Sequence, residues 1–112
     1  MMIIGVTPMP KKLLFVCNFG QNRSRTGADL YAELGYDTDY AGVVSGTRPV
    51  TADLLEWADI VIVFEQSQAD EIRAMAPGMS KPIVNLGLPN CYCRGDPRLE
   101  ALIRRGVGGY LD

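Results

Sequence analysis

There is no histidine in the 112-residue chain. Its absence excludes Ser-His-Asp and Cys-His catalysis and removes imidazole as a metal ligand, so a cysteine nucleophile here has to be activated by other means. Cysteine is scarce. Cys17, Cys91 and Cys93 are too few and too oddly spaced for a disulfide scaffold, and the Cys-x-Cys pair lacks the ligands of a four-coordinate zinc site. Neither a metal nor a cofactor is expected, and a reduced compartment is the default. No apolar run approaches membrane-spanning length, and the segment Met1 to Pro8 lacks the charged-then-apolar order of a signal peptide, so the cytoplasm is the expected location. Charge of one sign is also lacking. The net charge of -2 gives no broad basic surface for nucleic acid or an anionic membrane. There is no internal repeat, linker or low-complexity stretch.

The length suffices for one domain with one core. Residues 1–10 read as an extension, because Pro8 and Pro10 interrupt any regular element, and residues 11–112 read as the domain. The apolar run Leu13-Leu14-Phe15-Val16-Cys17 is the pattern of a buried parallel strand, about 12–17. A first helix is expected over about 23–35, with Ala28, Tyr31 and Leu34 on one face and Gly35 as its stop. A polar edge strand follows near Asp39–Val43. Thr51 is a good N-cap for a short helix through Leu54, Leu55 and Trp57. Trp57 itself reads as a packing residue. Asp59 to Phe64 holds an unbroken β-branched run and is the clearest central strand. Ser67-Gln68-Ala69-Asp70 resembles a capping box that opens a helix ended by Pro77-Gly78. Pro82 to Leu86 is the fourth strand, Asp96-Pro97 opens a helix over about 97–105, and Gly106 to Gly109 reads as a flexible tail. This alternation predicts an α/β three-layer sandwich with a four-stranded parallel sheet.

The chemistry concentrates after the first strand. Cys17 ends it, Arg23 follows six positions later, and Ser24 stands directly behind Arg23 at the start of a helix. In open α/β sheets ligands bind outside the carboxyl ends of the strands. A loop entering a helix N-terminus offers N–H groups and a positive dipole end to an anion. A thiol there is stabilised as thiolate, with a pKa of ~3.5–7.5 rather than ~8.5. Arg23 adds a planar fork for two oxyanion oxygens, and a cation at a helix N-terminus, which opposes the dipole, is best explained by an anion between them. Gly20 suits a turn of positive φ, and Ser24 is the simplest N-cap.

This Cys-x5-Arg-Ser stretch resembles the phosphate-binding loop of cysteine-dependent phosphatases. Its place after the first strand, with Glu56 to Val61, Phe64-Glu65, Leu88 to Tyr92 and Asp96-Pro97 downstream, resembles a short bacterial branch of the low-molecular-weight protein tyrosine phosphatases, over roughly residues 11–105. The resemblance implies strand order 2-1-3-4. It implies Cys17 as nucleophile, Arg23 as the phosphate fork and Asn18, Phe19, Gly20, Gln21, Asn22 and Ser24 as the oxyanion cradle. Ser24 would also help the sulfur leave in the second step. The implied substrate is a phosphotyrosine-like aryl phosphate ester, hydrolysed through a Cys17 thiophosphate. The family's loop usually has glycine then asparagine where this chain has Phe19 and Gly20, so its internal hydrogen bonds must differ, with Gln21 or Asn22 as candidates to supply them. Asn90 occupies the position of the family's aspartic acid and, with Tyr92, would form the substrate rim. Asp96 is the nearest carboxylate in sequence and the candidate acid, although Asp-Pro is also a strong helix cap. Two alternatives stay open: an arsenate reductase on the same fold, with Cys91 and Cys93 as resolving thiols, and an oxyanion-binding domain without turnover.

Overall fold

The computed structural model describes residues 11–44 and 48–111; the extension expected at 1–10 lies outside them. The elements run β1 (Lys12–Cys17), α1 (Arg23–Glu33), β2 (Asp37–Gly42), α2 (Ala52–Trp57), β3 (Ile60–Val63), α3 (Gln66–Met75), β4 (Ile83–Asn85) and α4 (Pro97–Val107), with a final 3₁₀ turn over Gly108–Tyr110. The four strands form one sheet in the order β2-β1-β3-β4, and every pairing is parallel.

The two central strands explain the layers. Side chains alternate across a strand, and β1 uses both faces. Leu13, Phe15 and Cys17 point to one side, where they pack with Ala28 and Tyr31 of α1 and with Leu99, Ile103 and Val107 of α4. Leu14 and Val16 point to the other side, against Leu55 of α2 and Ala69 and Ile72 of α3. Each fully buried side chain of this size contributes ~1.5–3 kcal/mol relative to exposure. β3 is buried along its whole length, as its unbroken Ile-Val-Ile-Val run requires. Close approach of α1 to the sheet depends on Gly27: a Cβ there would lie 2.4 Å from Phe15 Cδ1.

Three local expectations are corrected. The N-cap of α1 is Asn22, with no side-chain cap bond, and Ser24 is inside the helix. The capping box of α3 is formed by Glu65 and Gln68, two residues earlier than the Ser67–Asp70 spacing suggests. Gly106 to Gly109 is not a loose tail: α4 continues through Val107, which is buried, because Leu99, Ile103 and Val107 form one apolar face at four-residue spacing. Trp57 packs half-buried against the second core cluster. No helix among the described residues is long and apolar enough to cross a membrane.

Candidate active site

β1 has β2 on one side and β3 on the other, so the crevice beyond its carboxyl end is the switch point of the sheet. Cys17 is the last residue of β1 and is almost fully buried. The loop that follows is fastened along its backbone: Val43 N–H donates to Cys17 O at 3.0 Å and Val44 N–H to Asn18 O at 2.9 Å. Two glycines allow this closeness. Gly20 has φ +69°, and a Cβ on it would meet the backbone of Ala41 and Gly42 at 2.9 Å. A Cβ on Gly42 would sit 2.6 Å from Asn18 O.

Around the sulfur the loop turns its donors inward. Burial pushes the Cys17 thiol up, but the Ser24 hydroxyl and the backbone N–H groups of Ser24, Gly20 and Gln21 outweigh it, and the net shift is downward. Ser24 Oγ lies 3.1 Å from Cys17 Sγ, and Ser24 stands inside the helix rather than at its cap. The first turn of α1 carries no acidic side chain, and Asn22 offers no side-chain cap. Its N–H groups and its dipole end are left to an external anion.

Arg23 is 1% exposed, the largest fully buried side chain of the molecule's described part. Its Nη1 donates to Glu65 Oε2 at 2.7 Å and to Leu88 O at 2.8 Å, and the guanidinium stands 5.8 Å from the centre of the Phe64 ring. Its Nε is buried without a hydrogen-bond partner. A buried guanidinium N–H left unpaired costs free energy unless a ligand completes it. The Nη1 end anchors the fork while the Nε edge remains available to an oxyanion.

Cys17, Asn18, Phe19, Gln21, Asn22, Arg23 and Asn90 line a cavity of about 40 Å³. That is roughly three times the ~10–15 Å³ a single water needs, the scale of a tetrahedral anion rather than a ring. Phe19, expected only as a cradle position, is 47% exposed and forms an apolar part of the wall. Tyr92 does not line the cavity. It packs half-buried on the first core cluster, with Arg98 stacked 5.8 Å from its ring centre. Asp96 does not line it either. Its carboxylate caps α4 by accepting from Arg98 N at 2.9 Å, and takes the Arg98 guanidinium at 3.2 and 2.8 Å. The Arg98 side chain and then its backbone N–H hold the Asp96 carboxyl below the usual carboxylate range. Cys91 and Cys93 are free, exposed and outside the cavity wall. A larger apolar groove of about 320 Å³ between α2 and the end of α3, lined by Leu55, Met75 and Met79, holds no nucleophile.

Two residues essential to this geometry carry no role in the sequence reading. Glu65 is the anchor of Arg23, and Gln68 is a fully buried amide whose Nε2 donates to Asn18 Oδ1 at 3.0 Å while its Oε1 accepts from the N–H groups of Phe64 and Glu65. The loop is therefore held by Asn18 and Gln68, not by the side chains of Gln21 or Asn22. The Glu-x-x-Gln spacing before an apolar-faced helix is the one signal that marks the pair.

No protein-family model matches the chain, and no curated protein does. Solved structures do match. The phosphate complex of the tyrosine phosphatase Wzb from Escherichia coli K30 superposes with a TM-score of 0.71 at 19% identity, over 92% of this chain and 97% of that one. The YwlE arginine phosphatase of Geobacillus stearothermophilus gives 0.70 at 18% identity, over 90% and 93%. The low-molecular-weight protein tyrosine phosphatase of T. tengcongensis gives 0.69 at 17%, over 88% and 99%. The fold is that of the low-molecular-weight protein tyrosine phosphatases. The strand order β2-β1-β3-β4 agrees with the order that the resemblance implied, and the likeness extends along nearly the whole of each chain. At these identities the likeness concerns the fold alone.

Proposed function

We propose that the chain is a cysteine-dependent phosphatase that cleaves phosphate monoesters of the phosphotyrosine kind through a Cys17 thiophosphate. One observation carries the reading: the Cys17 sulfur stands under inward-turned N–H groups of Gly20, Gln21 and Ser24, next to a buried Arg23 with an unpaired Nε. In the first step the Cys17 thiolate attacks phosphorus, the S–P bond forms, and the P–O bond to the leaving group breaks. Charge on the equatorial oxygens falls on the loop N–H groups and on Arg23. In the second step water attacks phosphorus, inorganic phosphate departs, and the Ser24 hydroxyl stabilises the returning thiolate. The structural neighbours named above as phosphatases of tyrosine and arginine support the reaction class. The thiolate mechanism suits a reducing compartment such as the cytoplasm.

Asp96 has no place as acid in this mechanism, since its carboxylate is committed to Arg98. The arsenate reductase alternative is less well supported, since neither Cys91 nor Cys93 belongs to the wall over Cys17. Turnover of an aryl phosphate and titration with inorganic phosphate test the proposal together. Cys17→Ser should keep phosphate binding and lose turnover, and Arg23→Ala should lose both. Phosphate binding in the absence of any turnover by the intact protein would leave an oxyanion-binding domain instead.

A further inference from the structure

Phosphoryl transfer to Cys17 requires a leaving group, and the cavity wall indicates which kind. Its polar side chains besides Cys17 are the amides of Asn18, Gln21, Asn22 and Asn90 and the guanidinium of Arg23. None of these gives up a proton near neutral pH. The carboxylates of Glu65 and Asp96 are both occupied. Glu65 holds Arg23 Nη1 at 2.7 Å, and Asp96 holds Arg98. Outside the described residues the sequence adds a carboxyl side chain only at Asp112. A phenol such as tyrosine, with a pKa of ~10, leaves slowly without protonation, whereas a carboxylic acid, with a pKa of ~4, leaves readily as its anion. Asn90 fits the second case in a positive way. Its amide N–H can donate to an oxygen that departs charged and stays charged, where an ionised aspartate would repel it.

We propose that the site, while accepting aryl phosphate esters, acts faster on mixed carboxylic–phosphoric anhydrides, that is, acyl phosphates, with Asn90 as the donor to the departing carboxylate. The proposal rests on Cys17 being the nucleophile as argued above. The Cys17 thiolate bonds to phosphorus, the P–O bond to the acyl oxygen breaks with its electron pair going to the carboxylate, and no proton is needed. Water then attacks phosphorus, the S–P pair returns to sulfur, and phosphate and one proton are released. Phenyl esters pass through the same thiophosphate but are slowed in its formation.

The test compares kcat/KM for acetyl phosphate and phenyl phosphate in the wild type, Asn90→Asp and Cys17→Ser proteins, each corrected for uncatalysed hydrolysis. The wild type should prefer acetyl phosphate by at least ~10²-fold, the lower range of what a general acid contributes to a poor leaving group. Asn90→Asp should shrink that preference from both sides, raising phenyl phosphate and lowering acetyl phosphate. A protein-borne aspartyl phosphate run beside acetyl phosphate identifies the source of the anhydride by the larger kcat/KM. In heavy-oxygen water the label should enter phosphate and not acetate. Cys17-dependent turnover of phenyl phosphate within tenfold of acetyl phosphate, or a preference unmoved by Asn90→Asp, would overturn the anhydride proposal and leave the thiophosphate mechanism standing. Turnover of both substrates that survives Cys17→Ser would overturn the mechanism itself.

Discussion

Gln68 Nε2 donates to Asn18 Oδ1 across 3.0 Å, tying the first turn of α3 to the residue that follows Cys17. The same amide accepts from Phe64 N–H at 2.8 Å and Glu65 N–H at 3.0 Å. Glu65 in turn holds Arg23. One buried side chain thus sets the position of the loop on one side and of the Arg23 anchor on the other. Its donors and acceptor are all engaged, the condition under which a buried polar group adds order rather than cost.

Gln68→Ala should therefore act through two routes. It strands the N–H groups of Phe64 and Glu65, at ~1–3 kcal/mol for a buried unsatisfied donor, and it frees Asn18. Asn18→Ala removes only the second. A double-mutant cycle on phosphate affinity should show coupling of ~0.5–3 kcal/mol between the two positions, with Asn18→Ala, which leaves a single buried Gln68 N–H unpaired, lowering the melting temperature less than Gln68→Ala. Strict additivity in binding would mean that the tether has no influence on the loop.

Ser24→Ala tests the electrostatics of the sulfur. The hydroxyl lowers the Cys17 thiol and burial raises it, so removing the hydroxyl should move the thiol upward. Alkylation by iodoacetamide, followed against pH, should show its half-point at higher pH in the variant, and the acidic limb of kcat/KM should move with it. Because the folded thiol titrates below an unfolded one, thiolate formation stabilises the fold above the unfolded value of ~8.5, and that contribution is lost as pH falls through the folded value. The pH dependence of stability in that window should accordingly be weaker in Ser24→Ala. An unchanged alkylation profile would show that the loop N–H groups alone set the thiol.

Asp96→Asn separates a helix cap from an acid. Asparagine caps about as well as aspartate, so stability should hold, and with no acid role the kcat/KM for an aryl phosphate and its basic limb should hold too. A rate that falls while the melting temperature stays put would return Asp96 to the catalytic machinery.

Much of this architecture is legible in the residues because it is local. The Ile60 to Val63 run can only be a strand buried on both faces, and Cys17 must end β1 because a glycine-bearing polar loop follows it. What escapes is set by contacts across the chain. Asn18 and Gln68 are fifty residues apart, and Arg23 and Glu65 forty-two. No periodicity joins them. Ser24 looks like a cap from its neighbours alone, and its true partner is a sulfur on the preceding strand. The last turn of α4 is masked by Gly106, whose low helix propensity is overridden by burial of Val107. Asp96-Pro97 carries a cap signature, and the structure uses it as one.

In the proposed mechanism a phosphoryl group passes through Cys17. Wild-type protein mixed with nitrophenyl phosphate, whose low-pKa phenol leaves without protonation, quenched within a single turnover and mapped by peptide mass, should carry one phosphoryl group on the peptide containing Cys17, and the Cys17→Ser protein should bind phosphate without turning over. A phosphoryl group found on any other residue, or steady turnover by Cys17→Ser, would contradict it.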